Sequence, residues 1–317
     1  MKVLLLNKFF HKKNLHAFVN YKSIDCDIIN TENEFYNTDL TPYDIIYSPS
    51  TPLPVKKYPY KKFIFGPHFD VFPDEFKMQM IEGKNSVYIQ PSQWAVDTWK
   101  KNFIFTHNIT ILPMPFGVDT EEFSPTLSNK ERTEVFIYFK RRNPDELYFL
   151  ADKLNEKKIR FHFFEYGNYN EDDYKMILNN SKYGIWLGTH ESQGFALEEA
   201  LSCDVPLFVW EAVSMNQEYG KEYDNNYNYP ATTTPYWDSR CGNLFFSTNE
   251  FDKKFSDFLK KVENNEYSPR SYMVENLSIV ECEKKFLQIC DSIDNSHTTN
   301  NYKITQSYRK YQLFTHI

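Results

Sequence analysis

The sequence is poor in the residues that organise several large classes of protein. Its five cysteines, Cys26, Cys203, Cys241, Cys282 and Cys290, are scattered, odd in number and include no Cys-x-x-Cys pair. That usage argues against a disulfide framework or a cysteine zinc site and fits a reducing compartment, so the expected location is cytoplasmic. No apolar run reaches 18 residues, and no transmembrane segment is expected. The opening "MKVLLL" is too short for a signal peptide and reads as a first buried strand. Positive charge does not dominate either. With 36 basic and 43 acidic residues the net charge is −7, which provides no global field for nucleic acid or an anionic membrane. Glycine is scarce, at 9 of 317 residues.

Apolar and aromatic residues, in contrast, are plentiful. Hydrophobic residues make up 41% of the chain, enough for a sizeable core and for two domains. Aromatics reach 18%, more than a core needs, so many must lie at the surface or line a cleft. Short apolar runs alternate with helical segments: "KVLLL" (2–6), "YDIIYS" (43–48), "KFIFG" (62–66), "SVYIQPS" (86–92) and "ITILPMP" (109–115). A helix over 92–102 has Ser92 as its N-cap. After the polar stretch "GVDTEEFSPTLSNKERTE" (117–134) a second series begins with "VFIYF" (135–139), followed by "IRFHFF" (159–164), "YGIWLG" (183–188), "VPLFVW" (205–210) and "GNLFF" (242–246). Helices are expected near 144–156, 171–180 and 194–203, from about Phe251, and continuously over 268–293. Strands alternating with helices predict parallel sheets covered on both faces. The expected organisation is an α/β chain of two Rossmann-like, doubly wound domains facing each other across a cleft. It comprises an acceptor-side domain over 1–120, a linker over 121–134, a nucleotide-binding domain over 135–293, and a tail over 294–317 that packs back on the first domain.

One segment carries the functional reading. In "THESQGFALEEALSCDVPLFVW" (189–210) a strand ends, a short loop follows and a helix starts near Gly194. The first amides of a helix lack intrahelical partners and sit at the positive end of its dipole, and a glycine there lets a bulky anion approach. Glu191 stands before the helix, and Glu199 shares a helix face with Phe195. Carboxylates do not bind phosphate. They accept hydrogen bonds from hydroxyls, and a diphosphate with hydroxyls on both sides is a nucleotide sugar. Glu198, pointing away from Glu199, reads as an ordinary solvated first-turn residue.

These residues carry a family resemblance. Glu191 and Glu199 form an E-x7-E pattern in "ESQGFALEEALSCDVPLFV" that resembles the signature of retaining glycosyltransferases of family 4, which have the GT-B fold. "PFGVDTEEFSP" (115–125) resembles the same family's inter-domain segment. The two motifs occur in the family's order, and the likeness spans most of residues 86–290. The resemblance implies that Glu191 contacts sugar hydroxyls and Glu199 the ribose, with the backbone at Gly194 and Phe195 meeting the diphosphate. Ser192 and Gln193, in the same loop, are counted with the donor-binding residues. It also implies cations after the first strand of the second domain. In "IYFKRRNPDEL" these are Lys140 with Arg141 or Arg142, and one of the three faces solvent.

His68, in "FIFGPHFDVFP" (63–73), falls where the family places a histidine near the sugar. It either bonds a sugar hydroxyl or orients the acceptor, or it caps its own loop. His190 either faces the cleft or packs. The chain departs from the family after its first strand, where "NKFFHKKN" replaces a Gly-Gly loop. Its short, Asn- and Lys-rich form resembles members from large DNA viruses of algae.

The implied activity is transfer of a sugar from a nucleoside diphosphate sugar, UDP- or GDP-linked, to a hydroxyl of a glycan or glycoconjugate, with retention. No cofactor and no metal is expected: Asp25 and Asp27 in "IDCDII" form an Asp-x-Asp pair without a third ligand, and cations and helix amides supply the charge a metal would bring. Two rivals stand beside this reading. One is a nucleotide-sugar epimerase or phosphorylase on the same scaffold; the other is a catalytically silent sugar-binding protein that keeps the fold.

Overall fold

The computed structural model describes residues 1–223 and 227–293. The amino-terminal part runs β1 (Lys2–Leu6), α1 (Lys12–Val19), β2 (Asp25–Ile29), α2 (Glu32–Asn37), β3 (Ile45–Ser48), β4 (Lys62–Phe65), α3 (Glu75–Ile81), β5 (Ser86–Gln90), α4 (Gln93–Asn102) and β6 (Ile111–Pro113). Its six strands form one sheet in the order β2-β1-β3-β4-β5-β6, with every pairing parallel. The second part runs β7 (Glu134–Lys140), α5 (Pro144–Glu156), β8 (His162–Glu165), α6 (Glu171–Asn180), β9 (Ser181–Gly188), α7 (Phe195–Ser202), β10 (Leu207–Trp210), β11 (Gly242–Phe245), α8 (Thr248–Glu263), α9 (Pro269–Leu277) and α10 (Ile279–Ser292). Its five strands, also all parallel, are ordered β11-β10-β9-β7-β8.

Inner strands of parallel sheets are covered on both faces and therefore read as continuous apolar runs. β3, β5 and β10 are buried at every residue, whereas β2, at a sheet edge, is the polar "DCDII" with none of its residues buried. Helix starts are set by side chains that satisfy the first free amides. Asn143 caps α5, which has Pro144 in its first turn; Asn170 caps α6; Thr31 and Glu34 form a capping box on α2. Ser92 does stand at the N-cap of α4, but its hydroxyl makes no capping bond.

Two apolar clusters lie on the outer faces of the two sheets. A third, larger one is continuous between the parts, joining Phe18, Tyr47 and Phe116 to Tyr138, Trp186 and Phe286. The chain makes this join partly through its last helix. α10 leaves the second part and lies on the first, with Phe286 edge-on to Phe18 at 5.2 Å and the Glu283 carboxylate accepting from the Ser23 amide. The expected tail over 294–317 lies outside the described residues.

The single helix expected over 268–293 is two. Ser278 breaks it in an extended conformation (φ −63°, ψ 155°) and caps α10 by accepting from the Glu281 amide at 3.3 Å. The break is occupied by the inter-domain segment: Val118 N–H donates to the freed Leu277 carbonyl at 2.9 Å. A Cβ at Gly117 would stand 2.9 Å from the Ser278 carbonyl carbon, so the two strands of chain can pass here only at a glycine. α8 starts at Thr248, ahead of the expected Phe251.

Candidate active site

The carboxyl ends of β7 and β9 and the start of α7 open towards the first domain, and the sequence explains each placement. Gly194 caps α7 in a left-handed conformation (φ 97°, ψ 48°) that side-chain-bearing residues rarely adopt. A Cβ there would also press on the Glu191 side chain at 3.3 Å. The first-turn amides of α7 are thus presented without a capping side chain.

Glu191 and Glu199 flank this helix start, 8% and 3% exposed respectively. Glu191 is fixed through its backbone: its amide donates to the Thr232 carbonyl at 2.9 Å, and its carbonyl accepts from the Trp94 indole at 2.8 Å. Both oxygens of its carboxylate accept from Lys140 Nζ at 2.8 Å. Burial raises the Glu199 carboxyl to about pH 7, against the pull of the Lys13 ammonium that is bonded to it.

The three basic residues of "KRR" part company. Lys140 reaches Glu191 and lies 4.4 Å above the Tyr166 ring. Arg141 sits in the left-handed region (φ 49°), a conformation costing about 1–2 kcal/mol outside glycine. Its carbonyl accepts from the Tyr219 amide at 2.8 Å, and its guanidinium donates to the buried Glu218 at 2.8 Å while remaining half-exposed. Arg142 does not reach the cleft or solvent. It is 1% exposed, bidentate to Glu146 at 2.7 Å on both arms, and bonded to the carbonyls of Gly188 and Trp210. Arg142 is instead a buried tie between three strand ends, which corrects its place as a candidate cleft cation; of the three, the half-exposed Arg141 is the one that meets solvent.

Two further expectations change. Glu198 is fully buried rather than solvated, and burial pushes its carboxyl well above the usual carboxylate range. One of its oxygens accepts from Gln193 Nε2 at 3.1 Å. Gln193 itself turns away from the helix start and clamps the backbone of Phe116 through both the amide and the carbonyl. Ser192 lines the cleft. Phe195 opens α7 and stacks on His11 at 6.0 Å.

His68 and His190 both line the cleft. Burial lowers each to about 4, so each is neutral at pH 7. His68 Nε2 faces two N–H donors, the His11 amide at 3.4 Å and Asn14 Nδ2 at 3.2 Å. That nitrogen must therefore accept, and the histidine braces the start of α1 rather than its own loop. His190 stands edge-on to Trp94 at 5.6 Å. Asp25 and Asp27 both lie within β2. Asp27 is taken by the Tyr43 hydroxyl at 2.8 Å and Lys2 at 3.1 Å.

Sequence reasoning missed several members of the site. The cavity, about 390 Å³, lies between the domains; Phe9, Asp70 and Trp94 form one wall and Glu218 and Tyr223 the other. Behind Glu191, the buried Glu211 accepts from the Thr232 and Thr234 hydroxyls and from the Thr233 amide at 2.9 Å. It thereby fixes the strip whose carbonyl holds Glu191. The run "TTT" twenty residues after a lone Glu was the available signal, since clustered hydroxyls near a buried carboxylate satisfy it.

The two parallel-sheet domains match known structures over nearly the whole chain. Similar solved structures include a sucrose-phosphate synthase from Thermosynechococcus elongatus (TM-score 0.57, 9% identity, covering 93% of this chain and 100% of that one). They also include AviGT4, a glycosyltransferase involved in avilamycin A biosynthesis (0.56, 9%, 92% and 98%). A third is the lipopolysaccharide outer core galactosyltransferase WaaB in its apo form (0.52, 14%, 92% and 99%). The fold is that of GT-B glycosyltransferases. The sequence itself matches no protein-family model and no curated protein. Within the GT-B frame, the cleft described above is the space between the two Rossmann-like domains. Among the described residues no helix is long and apolar enough to cross a membrane.

Proposed function

We propose that this chain is a retaining glycosyltransferase, one that moves a sugar from a UDP- or GDP-linked donor to a hydroxyl of a glycan or glycoconjugate without a metal, acting in the cytoplasm. One observation carries the proposal: two buried carboxylates, Glu191 and Glu199, flank uncapped helix amides at the cleft. The amides at Gly194 and Phe195 hold the diphosphate. Glu199 accepts from the ribose hydroxyls, and Glu191, held by Lys140, accepts from those of the sugar.

Catalysis is then positioning and charge stabilisation. The bond from the sugar's anomeric carbon to the phosphate oxygen breaks and the bond to the acceptor oxygen forms on the same face. The departing phosphate oxygen takes the acceptor's proton. Lys140 and Arg141 offset the negative charge gained by the leaving group. His68, neutral at pH 7, orients groups by hydrogen bonding.

The test is a thermal-shift screen against UDP, GDP, ADP and dTDP and their sugars, followed by acceptor-free hydrolysis of the best sugar in excess EDTA. A ligand at 100 times its dissociation constant adds about 2.7 kcal/mol of stability. A shift with slow, chelator-resistant hydrolysis is expected. No shift with any nucleotide refutes the donor site; a shift without hydrolysis makes the chain a binding protein; hydrolysis abolished by EDTA refutes metal independence.

A further inference from the structure

Three cations near the start of α7 are held by carboxylates: Lys140 and Arg141, which line the cleft, by Glu191 and Glu218, and Lys13 by Glu199. The third pair differs from the others because it crosses between domains. Lys13 lies in the first turn of α1, on the amino-terminal domain, and Glu199 lies on α7. A lysine in a first turn is opposed by the helix dipole, and α1 has two, Lys12 and Lys13, with no acidic residue beside them. Both are satisfied across the gap, Lys12 by Glu171 at 2.6 Å and Lys13 by Glu199. His11, the N-cap of α1, stacks on Phe195, so the start of α1 lies over the start of α7.

Resting on the donor assignment above, we propose that Lys13 is a hand-over cation. It neutralises Glu199 until a donor arrives, then moves to the diphosphate as the ribose hydroxyls take the carboxylate. The chemistry demands such an exchange. Ribose is neutral, so its hydroxyls displace an ammonium from a nearly buried carboxylate and leave that charge unmatched. The only anion the donor brings is its diphosphate, and Gly194 lies five residues along the same helix from Glu199, about 7.5 Å. A flexible lysine stem, 21% exposed here, covers that distance while its backbone stays in place. The hand-over also supplies the third positive charge that Arg142, buried against Glu146, does not. Lys13 thereby joins donor binding to contact between the domains.

The test is calorimetric binding of uridine, UDP, guanosine, GDP and inorganic pyrophosphate to the wild-type protein and to Lys13→Met. Compared above pH 8, because losing the lysine raises the Glu199 carboxyl further, the nucleoside of whichever series binds should bind the variant as well as or better than wild type, since a competitor for Glu199 is gone. Its diphosphate should lose about tenfold or more, the loss of one charge-assisted contact. Lys13→Arg should restore most of that loss. Equal losses for nucleoside and diphosphate, or an unchanged ratio between them, overturn the proposal. Glu199→Gln provides a test that does not depend on Lys13→Met folding: pyrophosphate should bind it more tightly than wild type, because Lys13 is released. Unchanged or weaker pyrophosphate binding overturns the hand-over. A wild-type protein that binds none of the nucleotides would refute the donor site itself, a different result from any of these.

Discussion

Binding of the nucleoside should depend on pH through Glu199, and the dependence has a definite sign. Burial raises this carboxyl to about 7, far above its value in the unfolded chain. Ribose hydroxyls need the ionised form as acceptor, so affinity is fully developed above pH 7 and lost as pH falls through it. With a pKa of about 7, roughly nine-tenths of the carboxyl is ionised at pH 8 and a tenth at pH 6, so affinity falls about tenfold between them. The ligand should be the nucleoside, because a phosphate takes up its own proton near pH ~6. Calorimetric titration at constant ionic strength, with Glu199→Gln in parallel, makes the comparison; the variant should bind weakly at every pH. Stability of the unliganded protein moves the opposite way. A carboxyl raised on folding contributes stability that is complete below the unfolded pKa and is lost as pH rises through the folded one. The difference in melting temperature between wild type and Glu199→Gln should therefore turn against the wild type as pH climbs towards 7. A flat affinity profile, or nucleoside binding that strengthens in acid, would refute the assignment of Glu199 to the ribose.

The two arginines beside Lys140 should separate cleanly. Arg142→Met should cost roughly 3 kcal/mol in urea denaturation, the low end for breaking a buried pair because Glu146 is partly exposed. Arg141→Met should cost less than Arg142→Met, because Arg141 is half-exposed and Glu218 keeps the Tyr223 hydroxyl, and should weaken binding of the diphosphate; the reverse pattern would show that the roles are exchanged. Gly194→Val places a branched side chain at φ 97° and into the path of an approaching anion, so diphosphate affinity should fall far more than nucleoside affinity. Equal losses for both ligands would mean that the phosphates do not sit on α7.

The two-sheet architecture was legible because parallel strands buried on both faces leave unbroken apolar runs, as "SVYIQ" and "LFVW" do. The start of α7 was legible for a related local reason, a glycine between a strand and an apolar helix. Partners set by tertiary contact were not. Nothing in "KRR" tells which arginine turns inward; β9 and β10 decide it by presenting the carbonyls of Gly188 and Trp210 to Arg142. Glu198 and Glu199 are adjacent and chemically identical, yet one meets the apolar interior and Gln193, the other a lysine from the opposite domain. Two misses did leave traces. "SIVE" at 278–281 is a capping-box pattern inside an apparently continuous helix, and it marks the break. The doubled lysine in the first turn of α1, unfavourable there on its own, signalled a carboxylate elsewhere.

Gln193 has a consequence for movement. It holds the linker at Phe116 by both backbone groups, and one residue further on Gly117 threads the break between α9 and α10. Both passages of the chain between the domains thus run side by side and behave as one axle. Rotation about that line is the motion that leaves the clamp intact, and any other opening has to break it. Because Gln193 sits between Glu191 and Gly194, the angle of the axle is felt directly at the loop before α7. Swinging the first domain outward separates Lys13 from Glu199 and frees Trp94 from the Glu191 carbonyl in the same stroke. On the proposed donor assignment, loading of a donor and closure of the cleft become two readings of one coordinate.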